Sequence, residues 1–277
     1  MKYKLFVFLN IIIFILASVG DISDFDKYPE LQEIIKTYSE DYKSKFTQIL
    51  KDGPIYSGDG TAYGDSTDGG NCLFPKEEYY EDMMYAALNH DQYIDDLGCG
   101  LCALVVSTSD PYKPIRIRVL DQCPECEHGS LDFSDKAFKA LTNMDPARVK
   151  ITWALIPCDI DIPDHPALVE KNSDIKFKFK VGSSNYWFQV QVFNTKYPVA
   201  MVEMEINKEF IQLKRENHNY WSRPQDNGVD AGKGPYTFRV TLADSTIILA
   251  NNIEMVIPLD DDEGSEFSSG TQTIILN

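Results

Sequence analysis

The chain has 277 residues, with 43 Asp and Glu against 26 Lys and Arg, and a net charge of −17 at pH 7. So acidic a chain does not bind nucleic acid or an anionic membrane through general electrostatics, and acidic polymers such as pectin repel it. A neutral partner fits better. Residues 1–20 read as a secretory signal peptide: Lys2 and Lys4 open it, the run LFVFLNIIIFILA follows, and Ala17, Ser18 and Gly20 close it. Removing it takes away two lysines and no acid, which leaves a charge of −19 and ample length for two domains.

In chain order, Leu31, Ile34, Ile35, Tyr38, Tyr42, Ile49 and Leu50 recur at helical spacing and predict a helical segment within 21–52. Residues 53–75 are rich in Gly, Asp, Ser and Thr and lack the Gly-Lys-Ser/Thr of a phosphate loop; they read as turns around a short strand. A short helix is predicted over 79–90, strands over 101–107, 115–120 and 149–156, and a helix from Asp132 to Leu141 with Ser134 as its N-cap. Together these suggest a compact β-barrel over 53–158. Two prolines and no regular period make 159–172 a linker. From Ile175 the chain alternates as an antiparallel sheet does, through Phe177, Phe179 and Val181, then Phe188, Val190 and Val192, then Ala200 to Ile206 and Tyr236 to Leu249, which argues a β-sandwich over 173–258. The run LDDDEGSE at 259–266 falls in a solvated acidic tail over 259–277.

The six cysteines, Cys72, Cys99, Cys102, Cys123, Cys126 and Cys158, all lie in the first of these domains. Cys99-x2-Cys102 and Cys123-x2-Cys126 have the spacing of a four-cysteine zinc ribbon. A secretory route oxidises thiols, however, and Cys72 and Cys158 would be left over, so disulfides are expected and no metal or cofactor. Counting alone leaves 15 pairings open. His90, His128, His165 and His218 are scattered without ligand spacing.

Two places carry chemistry. VLDQCPECEHGSLDFSDKAF, at 119–138, sets Asp121 and Asp132 on either side of a CxxC loop, as a groove handling polysaccharide would need. In YWFQVQVFN, Phe188, Val190 and Val192 take one face, so Trp187 shares the other with Gln189 and Gln191. A flat aromatic on a polar face stacks on sugar rings. Tyr186 sits beside it, and Tyr220-Trp221 supplies a second aromatic pair.

Over nearly its whole length after the leader, the chain resembles expansins and expansin-like proteins. The matching stretches are GDGTAYG, GGNC, CGLC, RVLDQCPECEHGSLDFSDKAF, VKITWALIPC and VGSSNYWFQVQVFNTKYPV. The resemblance implies a mainly β chain: a six-stranded double-psi β-barrel related to family 45 endoglucanases, then an immunoglobulin-like sandwich that binds cellulose through aromatics. It implies a protein that loosens walls without hydrolysis, with cellulose or a related neutral β-glucan as partner; with the leader and the charge, the expectation is a secreted monomer that binds neither nucleic acid nor membrane. By position, Asp132, Asp121, Thr61 and Tyr63 fall in the groove. Trp187 and Tyr186 fall on the glycan platform, with Trp221 preferred to Tyr220 as its third member. Family patterns imply Cys72–Cys99 and Cys102–Cys158, leaving a Cys123–Cys126 clip where bacterial members carry an aromatic near Cys123. The rival readings are an endoglucanase with Asp132 as acid and Asp65 as base, and a secreted adhesion or matrix protein that uses only the glycan-binding face.

Overall fold

The computed structural model describes residues 55–64, 70–75, 83–94, 96–159, 167–223, 232–257 and 268–275. The leader, the segment 21–52, Asp65 and the acidic run 259–266 lie outside them. The described residues form a mainly β chain with two bodies of sheet.

The first body has six strands: β1 (Ile55–Ala62), β2 (Tyr85–Asn89), β3 (Cys102–Ser107), β4 (Asp110–Cys123), β5 (Leu131–Phe133) and β6 (Val149–Ile156). They pair in the order β1-β5-β2-β4-β3-β6, and β1 pairs with β6 to close the ring. The β1–β5 and β2–β4 contacts are parallel and the rest antiparallel. All six residues of β3 are buried, so its unbroken apolar run is covered on both faces. Inside, the Tyr56 and Trp153 rings lie 4.5 Å apart, and the Trp153 indole donates to the Gly129 carbonyl at 2.8 Å. Gly129 has φ +83°, and a Cβ there would sit 2.3 Å from the Ser57 carbonyl, so only glycine fits.

Of the helix expected over 79–90, residues 79–82 lie outside the described residues, and the rest is overturned. Residues 85–89 form β2, buried along its whole length between β4 and β5, and only His90–Tyr93 turn helical (α1), capped by the Asn89 side chain. Ala86, Ala87 and Leu88 favour a helix locally, but two flanking strands offer every backbone group a partner. The helix after Asp132 also starts later: α2 is Asp135–Thr142, with the Ser134 hydroxyl accepting from the Ala137 amide. Asp132 itself belongs to strand β5.

Three disulfides staple this body, Cys72–Cys99, Cys102–Cys158 and Cys123–Cys126, the pairing that the resemblance implied. No thiol is left for a zinc ribbon. Loop closure makes them worth about 3.5, about 4 and about 2 kcal/mol respectively.

The second body has two sheets. One runs β11 (Lys214–Arg215), β12 (Tyr220–Ser222), β8 (Gln189–Phe193), β7 (Lys176–Phe179). The other runs β10 (Glu209–Gln212), β9 (Val199–Ile206), β13 (Tyr236–Leu242), β14 (Ile247–Ile253), β15 (Thr271–Ile275). Phe177, Phe179, Phe188 and Phe238 are fully buried, and Phe177 stacks on Phe238 at 5.1 Å. Two expectations are corrected here. The stretch 259–277 is not all tail, because β15 adds a strand to the sheet beside β14. The linker is not all loose, because Leu168 and Val169 are buried with Leu104 and Ile156. Among the described residues no helix is long and apolar enough to cross a membrane.

Candidate functional site

The closed sheet brings four residues into one row across neighbouring strands: Thr61 on β1 opposes Asp132 on β5, Asp132 opposes Ala87 on β2, and Ala87 opposes Asp121 on β4. The two acids therefore stand two strand spacings apart, roughly 10 Å at the backbone. Ala87 lies between them, buried, with a side chain too small to fill the gap. Sequence reasoning missed it because it read this segment as helix.

The Thr61 hydroxyl donates to Asp132 at 2.5 Å. Asp132 is half-buried, and its pKa is raised above the ordinary carboxylate value, first by loss of water. The Thr61 hydrogen bond and the charge of Arg148 work against that rise, and the charge of Glu125 adds to it. Asp121 accepts from the backbone amides of Asn71 at 2.9 Å and Gln122 at 2.8 Å. The loop that delivers Asn71 passes so close that a Cβ on Gly70 would sit 2.5 Å from the Leu120 carbonyl. Tyr63, two residues beyond Thr61, is exposed at the end of β1, and its amide donates to the Phe133 carbonyl at 3.1 Å. Asp59, two residues before Thr61, is held by Arg148 and Lys150, which keep its carboxyl below the usual range.

On the second body, Tyr186 is 62% exposed and Trp187 36% exposed, at the end of the β7–β8 hairpin. Phe188, next to them, is wholly buried, as alternation predicts. The choice of Trp221 is overturned: it is 2% exposed. Trp221 opposes Val190 across β12 and β8, so it shares the core face, and the Arg215 guanidinium lies 4.3 Å from its ring centre. Tyr220 opposes Gln191 and so shares the face of Gln189 and Gln191, but it too is buried.

That face is divided between solvent and the first body. At one end Tyr186 and Trp187 are open. At the other, the buried Gln191 amide donates to the carbonyls of Cys72 at 2.9 Å and Leu73 at 3.2 Å. His218 Nδ1 donates to the Asn71 carbonyl at 3.0 Å, and Arg215 donates to the Asp96 carbonyl at 3.1 Å. Burial lowers the Arg215 pKa to about 10, against the pull of Asp96 and Tyr93. The Asn71 side chain donates to the Tyr93 hydroxyl at 2.8 Å and to Asp96 at 3.2 Å. One loop, 70–73, thus touches the groove acid Asp121 from one side and the sandwich from the other. Asn71 is the second residue that sequence reasoning missed; the GGNC motif was its only signal.

Residues 175–258 match the family described as the Expansin C-terminal domain. Expansin-YoaJ of Bacillus subtilis is 26% identical over 168 residues, covering 60% of this chain and 67% of that protein. Expansin-like protein 1 of Dictyostelium discoideum is 26% identical over 188 residues, covering 61% of this chain and 59% of its own length. A crystal structure of the Clavibacter michiganensis expansin superposes with a TM-score of 0.61 at 24% identity, over 78% of this chain and 95% of that one. A mutant of the same expansin, in complex with cellohexaose, superposes equally well.

Residues 175–258 are an expansin C-terminal domain, and the chain as a whole is similar to expansins and expansin-like proteins.

The structural likeness is one of fold, and it extends across both bodies, whereas the family match covers only the second. The row of Thr61, Asp132 and Asp121 belongs to the first body and the exposed aromatic pair to the second, with the 70–73 loop between them.

Proposed function

We propose that this expansin-like protein is secreted, binds cellulose or a related neutral β-glucan, and loosens the wall by disrupting non-covalent contacts between glucan chains, without hydrolysis. Its first body is read as a double-psi β-barrel over 53–158 and its second as an immunoglobulin-like domain over 173–258. The observation that carries the reading is the arrangement of one sheet face: Tyr186 and Trp187 stand open at one end, and the loop holding Asp121 docks at the other. Exposed aromatic rings cover the apolar CH faces of sugar rings while the hydroxyls stay in water. A glucan anchored on Trp187 then lies beside a row of hydrogen-bonding groups, Thr61, Asp132 and Asp121, over the low floor at Ala87. A chain held there in a twisted form loses contacts with its neighbours. The cellohexaose bound to the Clavibacter relative supports this choice of ligand class.

Hydrolysis needs a base paired with Asp132 across a water. Asp65, the base in the rival endoglucanase reading, lies outside the described residues, and Asp59 is committed to Arg148 and Lys150. The test is co-sedimentation with insoluble cellulose, joined to a wall-extension assay. Wild type pellets and extends walls. Trp187→Ala stays in solution. Asp132→Asn pellets but no longer extends walls. Cellulose binding with unchanged wall mechanics in the wild type would instead support the adhesion reading, and release of soluble sugar abolished by Asp132→Asn would support the endoglucanase.

A further inference from the structure

The Cys123–Cys126 clip sits against the groove. The two sulfur atoms and a carboxylate oxygen of Asp132 all lie within 4.8 Å of one another. Of the six cysteines only Cys126 is partly exposed; the other five are buried. The clip also closes the smallest loop of the three, with the cysteines three positions apart against 27 and 56 for the others. It is therefore the disulfide that a soluble reductant reaches first, and the one whose opening leaves the barrel stapled.

We propose that opening the Cys123–Cys126 disulfide turns this corner of the groove into a binding site for a thiophilic divalent cation of the zinc class, with the two cysteine thiolates and the Asp132 carboxylate as ligands. A dithiol reductant supplies two electrons and two protons; the S–S bond breaks, two thiols form, and the reductant closes to its own disulfide. Cation binding then releases the two thiol protons to solvent.

Three physical points favour the site. The Cys-Pro-Glu-Cys turn, with the Cys126 amide on the Cys123 carbonyl at 3.3 Å, has the two-residue spacing by which CxxC pairs grip zinc. Tetrahedral zinc with two thiolates and a carboxylate needs its ligand atoms roughly 3.5 Å apart, which side-chain rotation reaches from the present positions. Reduction also leaves two ionisable sulfurs beside Asp132 and near Glu125, a concentration of like charge that a cation relieves. Two sulfur ligands select against magnesium and calcium. The exposed side of Cys126 leaves a fourth position to water.

The cation site does not depend on the glucan reading. Its consequence does: a cation on Asp132 withdraws that carboxylate from Thr61 and from the row, so on the proposed function it silences the groove.

The experiment uses the whole mature chain, treated with dithiothreitol under native conditions and desalted without oxygen. Thiol titration is expected to show two thiols before any further pair opens. Zinc titrated against a chromophoric chelator is then expected to bind at one equivalent to the reduced protein and not to the oxidised one, and cobalt in its place to show thiolate charge-transfer absorption. Asp132→Asn, which keeps both thiols, is expected to weaken zinc at least tenfold, and Cys123→Ser with Cys126→Ser to abolish it while near-ultraviolet circular dichroism stays that of the wild type. Opening of a buried pair before the clip overturns the proposal. So does equal zinc binding by the oxidised and reduced proteins, or zinc binding that Asp132→Asn leaves unchanged.

Discussion

The two bodies of sheet solve the same stability problem in different ways. The barrel places every cysteine of the chain in three disulfides, and it carries a row in which a buried alanine separates two acids. The sandwich has no cysteine and relies on interlocked phenylalanines. A ring closed around a polar row gives up apolar contact at that row, and cross-links offset the loss by restricting the unfolded chain. A sandwich that keeps its exposed aromatic pair on its outer face gives up nothing inside.

The largest effects should respect that division. Phe238→Ala removes a fully buried ring and is expected to cost the sandwich about 3–5 kcal/mol. Replacing Cys102 and Cys158 together by serine is expected to cost the barrel about 4 kcal/mol. Chemical denaturation followed with a probe in each body should show each change in its own transition. Coincident shifts of both transitions would mean that the interface makes one cooperative unit of the two.

Next come the two tryptophans. Trp221→Ala should destabilise the sandwich by about 3–5 kcal/mol, since its ring is buried under Arg215. Trp187→Ala should leave the melting temperature nearly unchanged and weaken retention on cellulose about 10- to 100-fold, the loss of an exposed aromatic anchor. A Trp187→Ala protein that binds as well as wild type would move the platform elsewhere.

A smaller effect tests the joint. Gln191→Leu leaves the Cys72 and Leu73 carbonyls without their buried donor and should cost about 1–3 kcal/mol. It should also draw the two unfolding transitions apart, which differential scanning calorimetry would read.

The smallest effect has a pH signature. The Asp132 pKa is raised in the folded protein, so the wild type loses stability as pH rises from the ordinary value of 3.8 through the folded-state value. Asn does not titrate and still accepts from Thr61. Asp132→Asn should therefore be slightly more stable than wild type at neutral pH, with the advantage vanishing below pH 3.8. Melting curves at neutral and acid pH decide it; an advantage that persists in acid would place its origin in packing rather than charge.

Much of the outline was legible in order. Ser134 signalled its helix because a hydroxyl before an amphipathic run satisfies an orphan amide wherever the run lies. Phe188 and Trp187 sorted to opposite sides because strand alternation is local. The errors share a cause. Ala86 and Ala87 read as helix because propensity ignores the strands that flank them. Trp221 and Tyr220 are adjacent, and only the pairing of Trp221 with Val190 says which of the two faces the core. Strand β15 reads as tail in the sequence because Thr271 to Ile275 gains its partner from β14, across the acidic run 259–266.

The sequence by itself determined the chemistry available: acids without excess cations, cysteines confined to one half, an aromatic pair next to a core phenylalanine. Tertiary structure decided which of these meet. Asp121 and Asp132 stand two strands apart only because the barrel threads β2 between β4 and β5, and their row is tied to the sandwich because the 70–73 loop bonds to both bodies. Local residue type fixes what a side chain does; which neighbours it does it with depends on long-range register, and a linear chain carries that information only through its pairing.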